Sequence, residues 1–145
     1  DAQVKSLFLA KLSAIAVESD LLVSVQITNN TKRSLYIDKA LLCLPNCFGE
    51  LVKVYGRKQD DSVHRITYKG IITDRIYPLS INDFTLMQSG EQKVVKLKLS
   101  KYYHLTKKYD SFLITYDTFN DSIPGTQEEF VILGDDVEID NPMIN

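Results

Sequence analysis

Hydrophobic residues recur at every second position along much of this chain. Between residues 21 and 27, apolar side chains alternate with a more polar set, and the same spacing returns at 95–99 and 112–116. A period of two places alternate side chains on opposite faces of an extended chain, so each run predicts a β-strand with one buried face. Residues 29–32 and 88–91 supply turn-forming Asn, Ser and Gly between such runs.

Shorter apolar runs predict further strands. They lie at 35–37, 51–55, 64–72, 84–86 and 130–133. The segment 4–17 fits both a strand and one face of a helix, and its continued alternation through Val17 favours the strand. A chain of about seven to nine short strands, with no convincing long amphipathic helix, predicts an all-β fold. We expect an immunoglobulin-like antiparallel β-sandwich.

The sandwich is predicted to occupy residues 1–133 as one domain, followed by an acidic, mobile C-terminal tail at 134–145. Four acidic residues fall in that last stretch: Asp135, Asp136, Glu138 and Asp140. The chain begins at Asp1 without an initiator Met. This start predicts that the numbering begins after a removed signal peptide or at the edge of an expressed fragment.

Composition fits one ordinary folded domain and argues against two classes of partner. The chain has 145 residues, 44% of them hydrophobic, and its 17 Lys+Arg against 19 Asp+Glu give a net charge of −2. Nucleic-acid binding needs clustered basic residues, so we expect no nucleic-acid partner. A transmembrane helix needs about 20 consecutive apolar residues. The longest apolar run is far shorter, so we expect no membrane span.

The sequence carries no recognisable catalytic or cofactor-binding pattern. It lacks a phosphate-binding glycine loop, a Gly-x-Ser-x-Gly elbow and a His-Glu-x-x-His motif. We assign the two histidines, His64 and His104, to surface or packing roles. Adjacent carboxylates such as Asp60 and Asp61 point to opposite faces of a strand or into solvent. We therefore expect no enzymatic activity, no metal and no cofactor.

Cys43 and Cys47 are the two cysteines, in the sequence Cys-Leu-Pro-Asn-Cys. Two interpretations stay open, a disulfide that closes a small loop or two half-buried thiols. A structural zinc site would need two further ligands at finger spacing, which neither histidine supplies. We favour the disulfide. It predicts an oxidising compartment, and hence a periplasmic or secreted bacterial protein.

Seven short motifs follow one another in a characteristic order. They are Ile27–Thr31, Tyr68-Lys69-Gly70, Phe84-Thr85-Leu86, Ser89-Gly90-Glu91, Val95–Ser100, a tyrosine at 102 or 103, and Phe112–Tyr116. In this order, over residues 17–118, the chain resembles the immunoglobulin-like propeptide domain of deuterolysin-type (aspzincin) metalloendopeptidases. It is similar, more weakly, to bacterial intracellular proteinase-inhibitor domains, which share the Gly-Glu turn before a charged strand.

The chain also departs from the deuterolysin pattern. The peptidase motif is absent, residues 108–111 stand where the pattern has a glycine, and the cysteine loop is not part of it. These departures favour a stand-alone relative. The resemblance implies an inhibitory or chaperoning contact with another protein. Our leading hypothesis is an inhibitor or immunity protein that neutralises a partner protease or antibacterial toxin. The alternative is a structural or assembly module of the cell envelope that acts through a β-edge or loop contacts. The partner and the oligomeric state stay open.

Candidate partner-binding residues lie on predicted loops, because binding residues concentrate on loops held by a rigid scaffold. Tyrosine adds an apolar ring with a polar tip, which interfaces favour. The candidates are Pro45, Phe48, Arg57, Lys58, Asp60, Asp61 and Tyr77. Either Tyr102 or Tyr103 is predicted to form a corner that pins the crossover between sheets.

Overall fold

Antiparallel strands form nearly all the regular structure. A computed structural model describes residues 7–47, 49–126 and 129–144. The strands in these ranges are β1 (Phe8–Val17), β2 (Asp20–Asn29), β3 (Leu35–Asp38), β4 (Lys53–Arg57), β5 (Val63–Arg65), β6 (Phe84–Met87), β7 (Gln92–Lys98), β8 (Ser111–Thr115), β9 (Asp117–Asn120), β10 (Phe130–Leu133) and β11 (Val137–Asp140). Three short 3₁₀ turns lie at Lys39–Leu42, Ile81–Asp83 and Leu99–Lys101. Among the described residues, no helix has the length and apolar character needed to cross a membrane.

Two main sheets form the sandwich. One has the order β1-β2-β7, and the other has the order β11-β8-β4-β5. This arrangement and its connections match an immunoglobulin-type sandwich, with strands A-B-E on one sheet and G-F-C-C′ on the other. The predicted all-β, immunoglobulin-like sandwich is confirmed. Two extra antiparallel pairs, β3 with β6 and β9 with β10, bring the described strands to eleven.

Strand β2 shows why the period of two specifies this fold. Leu21, Val23, Val25 and Ile27 are fully buried, and the intervening side chains of the strand are half-buried. The buried set belongs to one apolar cluster with inward-facing residues of β8, such as Phe112. A shift of register by one residue would turn all four buried side chains out of the core, so the alternation fixes the pairing.

The predicted C-terminal tail is wrong for the segment that forms β11. Val137–Asp140 pairs in antiparallel register with residues 111–114 of β8 and belongs to the four-stranded sheet. Val137 and Ile139 are half-buried against the core, while Glu138 bonds to Arg57. The acidic residues alternate with apolar ones, and this spacing makes a strand rather than a solvated tail.

Other expectations differ from the structure in extent. The strand predicted at 64–72 ends at Arg65, and only an isolated bridge at Tyr68 follows it. The N-terminal strand is confirmed from Phe8 to Val17, and residues 4–6 of that prediction lie outside the described residues. The short polar strand β9 was not predicted. Its residues show weak alternation, and it forms by pairing with β10.

Candidate functional site

An open cleft of about 830 Å³ lies at one end of the sandwich. One wall is the segment Lys39–Cys47, which we call the disulfide loop. The other wall includes residues 71–78, which we call the apolar loop. The residues that line the cleft are Lys39, Ala40, Leu41, Leu44, Pro45, Gly49, Glu50, Leu51, Thr73, Asp74, Arg75, Ile76, Pro78, Leu79, Ser80, Asn82, Asp83 and Thr118. The volume is that of an ordinary ligand or side-chain pocket.

The disulfide loop is anchored at both ends. Asp38 caps its 3₁₀ turn by accepting a hydrogen bond from the Ala40 backbone N–H (2.9 Å), and two leucines of the turn are buried. The predicted disulfide between Cys43 and Cys47 is present, and Cys43 adopts a left-handed conformation with φ of 52°. Pro45 lines the cleft as part of this loop. Phe48, the other candidate contact residue here, lies outside the described residues.

Tyr103 fixes the chain just after the disulfide loop. Its side chain is 1% exposed, and its hydroxyl group hydrogen-bonds the Glu50 carboxylate at 2.8 Å and the Val52 backbone carbonyl. Burial, reinforced by the neighbouring Glu50, raises the pKa of Tyr103. The predicted pinning tyrosine is therefore Tyr103, and it holds the cleft wall at Glu50 and Leu51.

A charged cluster ties the apolar loop to the base of the disulfide loop. Arg75 makes two contacts with Asp38, one of them at 2.9 Å, and it lies 3.4 Å from the Asp121 carboxylate. The Asp38 side chain is only 3% exposed, and its backbone N–H donates to the buried Asn120 side chain at 2.7 Å. Hydrogen bonding to Asp38 raises the pKa of Arg75. Burial, together with the negative charge of Asp38, raises the pKa of Asp121.

The apolar loop exposes large hydrophobic side chains. Ile76 is 89% exposed and Ile72 is 74% exposed, while Ile71 and Tyr77 are each about two-thirds exposed. The Tyr68 hydroxyl donates to the Ile71 carbonyl at 3.0 Å, which fixes the start of the loop. Single exposed apolar residues are normal on a protein surface, but several in one short segment are typical of an interaction site. The sequence prediction singled out only Tyr77 here. The three isoleucines at 71, 72 and 76, within six positions, were the sequence signal that could have indicated this surface.

The charged candidates at 57–61 lie at the opposite end of the sandwich, in the β4–β5 hairpin. Strand β4 runs from the disulfide-loop end to this hairpin. Arg57 makes a bidentate ion pair with Glu138, at 2.8 and 3.0 Å, which raises the pKa of Arg57. Asp60 accepts hydrogen bonds from the Ser62 side chain and backbone, which lower the pKa of Asp60.

The remaining hairpin candidates have local roles in the turn. The backbone of Lys58 donates to the Ser62 carbonyl and accepts from Asp61, both at 2.9 Å. Asp61 adopts a left-handed conformation with φ of 67°, as the turn requires. The structure thus separates the candidate residues into two groups at opposite ends. Pro45 and Tyr77 belong to the cleft end.

The hairpin also brings Asp60, Ser62 and His64 together. The Ser62 Oγ donates to Asp60 at 2.5 Å and lies 3.1 Å from the His64 Nε2. A hydrolytic triad places the imidazole between the hydroxyl and the carboxylate, whereas here the hydroxyl is in the middle. The three side chains sit on the surface rather than in a pocket. Among the described residues, no group of three His, Cys, Asp or Glu side chains is arranged to hold a metal ion.

Comparisons with known proteins add little to this geometry. No protein-family model and no curated protein matches the chain. Among solved structures it is similar to the yjhA protein from Bacillus subtilis, with a TM-score of 0.33 and 8% identity. That alignment covers 86% of this chain and 83% of the other. A likeness this distant identifies neither a family nor a function, so the resemblance to propeptide and inhibitor domains stays a prediction.

Proposed function

We propose that this protein is a non-enzymatic protein-binding domain that inhibits or neutralises a partner protein through its cleft end. The observation that carries this proposal is the exposure of Ile71, Ile72, Ile76 and Tyr77 beside the cleft. Fully burying one large apolar side chain contributes about 1.5–3 kcal/mol, so these residues can act as the anchors that dominate the binding energy of a larger interface.

The two loops that border the cleft are held in place before any partner arrives. The disulfide closes one loop, and the ion pair between Arg75 and Asp38 ties the other loop to it. Ordering a loop upon binding costs free energy, so loops that are already fixed bind more tightly for the same contacts. A rigid, apolar and exposed loop of this kind suits a protein that occupies a groove on its partner.

An inhibitor or immunity role in the periplasm or outside the cell fits these features. The disulfide is compatible with an oxidising compartment. The resemblance to propeptide and proteinase-inhibitor domains points to a protease as the partner class. A secreted antibacterial toxin is the second partner class that such a binding domain would neutralise.

Capture of partners by matched variants tests this proposal. Wild-type protein is immobilised beside Ile76→Asp, which places a charge in the apolar loop, and Val94→Asp, which makes the same change at an exposed site on β7. Lys58→Ala tests the hairpin end. Secreted and envelope proteins of the source organism are applied, and the affinity for each captured protein is then measured.

We expect a partner that binds wild type, Val94→Asp and Lys58→Ala alike and binds Ile76→Asp at least about tenfold more weakly. Addition of stoichiometric wild-type protein should reduce the proteolytic or toxic activity of that partner. Equal binding to Ile76→Asp and wild type would contradict the assignment of the surface. A partner whose activity is unchanged in the complex would contradict the inhibitory role.

A further inference from the structure

Strand β1 has an outer edge that is only partly covered. It is the edge strand of the three-stranded sheet and pairs with β2 along all ten of its residues. Its outer side meets Gly134 through a bridge at Ala10, and the Leu12 backbone N–H donates to Asp135 at 2.8 Å. The Leu12 N–H therefore points to the outer side of the strand. Because backbone groups of alternate residues point to the same side, the N–H and C=O of Ala14 point outward as well.

The remainder of this edge, Ser13–Val17, has no partner strand within the described ranges. The outward-directed backbone groups are those of Ala14 and Ala16. Ile15 and Val17 are 57% and 47% exposed on the solvent face of the sheet. Unpaired backbone groups beside apolar side chains form a template for another strand.

The other three edges of the two main sheets carry the features that block such pairing. Strand β7 bears Lys93, Lys96 and Lys98, and β11 bears Glu138 and Asp140. Strand β5 is three residues long. Charged and very short edges resist the addition of a further strand, whereas Ser13–Val17 carries no charge and no proline.

We propose that the β1 edges of two copies of this chain pair in antiparallel register about a two-fold axis at Ile15. In this register Ala14 of one copy lies opposite Ala16 of the other, and each such pair exchanges two backbone hydrogen bonds. The two copies of Ile15 then form the central non-hydrogen-bonded pair, with Cα atoms about 4.5 Å apart. The two three-stranded sheets become one continuous sheet of six strands.

The charge distribution favours a second copy as the partner. At a two-fold axis every residue approaches its own copy, so a charge near the centre would repel itself, and this segment has none. The exposed residues that flank the segment have opposite charges, Lys11 before it and Glu18 after it. In this register Lys11 of one copy lies opposite residue 19 of the other, one position from Glu18, at both ends of the paired segment, which we call the seam. The Asp135 contact with Leu12 limits the seam to five residues.

Sedimentation of matched charge variants tests the self-pairing. A seam of this size predicts weak association, so the molecular mass is followed from about 10 µM to about 1 mM protein. We expect wild type and Val94→Lys to associate equally, and Ile15→Lys to lose association at least about tenfold. Ile15 and Val94 are exposed to a similar extent on edge strands of one sheet. A wild type that stays monomeric at the highest concentration, or an Ile15→Lys that associates like it, would overturn the proposal.

Disulfide trapping gives a second measurement that does not depend on Ile15→Lys folding. Two Ile15→Cys copies would lie within disulfide range across the axis, whereas two Ser13→Cys copies would be about 13 Å apart. Under mild oxidation we expect Ile15→Cys to form covalent dimers much faster than Ser13→Cys. Equal rates for the two variants would refute the register. Pairing of this edge with a strand from a different protein, without self-association, would refute the choice of partner.

Discussion

Tyr103 and Tyr116 are both buried but differ in hydrogen bonding. Removal of the hydroxyl group is therefore expected to change the free energy of unfolding differently at the two positions. Tyr103 bonds to Glu50 and to the carbonyl of Val52, a residue that is 2% exposed. Tyr116 is also 2% exposed, and its buried hydroxyl group has no hydrogen-bond partner among the described residues. Replacing each tyrosine with phenylalanine removes the same atom from the two environments.

The expected free-energy changes follow from that difference. Tyr103→Phe leaves the buried Val52 carbonyl without its partner, and an unpaired buried acceptor costs about 1–3 kcal/mol. We expect the free energy of unfolding to fall by about 2 kcal/mol, which lowers Tm by about 4–8 °C for a chain of this length. Tyr116→Phe removes a polar atom that is desolvated without compensation, so stability should stay equal or rise by up to about 1 kcal/mol.

Urea denaturation at neutral pH measures both changes. The midpoint should move down for Tyr103→Phe and stay or move up for Tyr116→Phe, with the slope m unchanged. A Tyr116→Phe variant that loses more stability than Tyr103→Phe would refute the assignment of the two hydroxyl groups.

Alkaline pH provides a second check on the same side chains. Burial raises the pKa of Tyr103 and of Tyr116 above the ordinary value of 10.0. A raised pKa in the folded state contributes stability that is complete below pH 10 and is lost as the pH rises above it. Both phenylalanine variants should therefore lose less stability than wild type above pH 10. Variants that lose as much stability as wild type above pH 10 would contradict the burial of these hydroxyl groups.

Three further substitutions test other parts of the fold. Replacing Cys43 and Cys47 with serine should lower the free energy of unfolding by about 2 kcal/mol, the value expected for closing so small a loop. A denaturant titration measures this change, and an unchanged free energy of unfolding would contradict a constraining disulfide. Hydrogen bonds to Glu138 lower its pKa below the ordinary value of 4.5. The ionised Glu138 carboxylate therefore stabilises the fold above that pH, and this stabilisation is lost as the pH falls below it. Glu138→Gln should therefore flatten the acid side of a stability profile, and an unaltered profile would contradict this role. Gly56→Ala would place a Cβ 2.3 Å from the Tyr109 ring. This clash should lower the free energy of unfolding by about 3 kcal/mol, as measured in a thermal melt. An unchanged melt would show that the ring moves freely.

The strands of the core were predictable because burial on one face imposes a period of two. The runs at 21–27 and 112–116 gave β2 and β8 directly. The spacing of Val137 and Ile139 carried the same signal, but the acidic residues beside them favoured a tail. Their strand forms because β8 offers a free edge, and a single segment does not reveal its partner.

The cleft was less predictable, because its parts are far apart along the chain. Arg75 is 37 residues from Asp38 and 46 residues from Asp121. Single-sequence patterns report local periodicity and give no contacts at such separations. The candidate contact residues Pro45 and Tyr77 fall on predicted loops at this end of the sandwich. Asp60 falls on a predicted loop as well, but that loop is the distant hairpin.

Hydrogen exchange in the complex with a captured partner tests the binding surface most directly. The backbone amides of the apolar loop at 71–78 and of the disulfide loop should become protected when the partner binds, while those of residues 57–63 should exchange as in the free protein. Protection confined to residues 57–63, with no change at the two loops, would contradict the proposed surface.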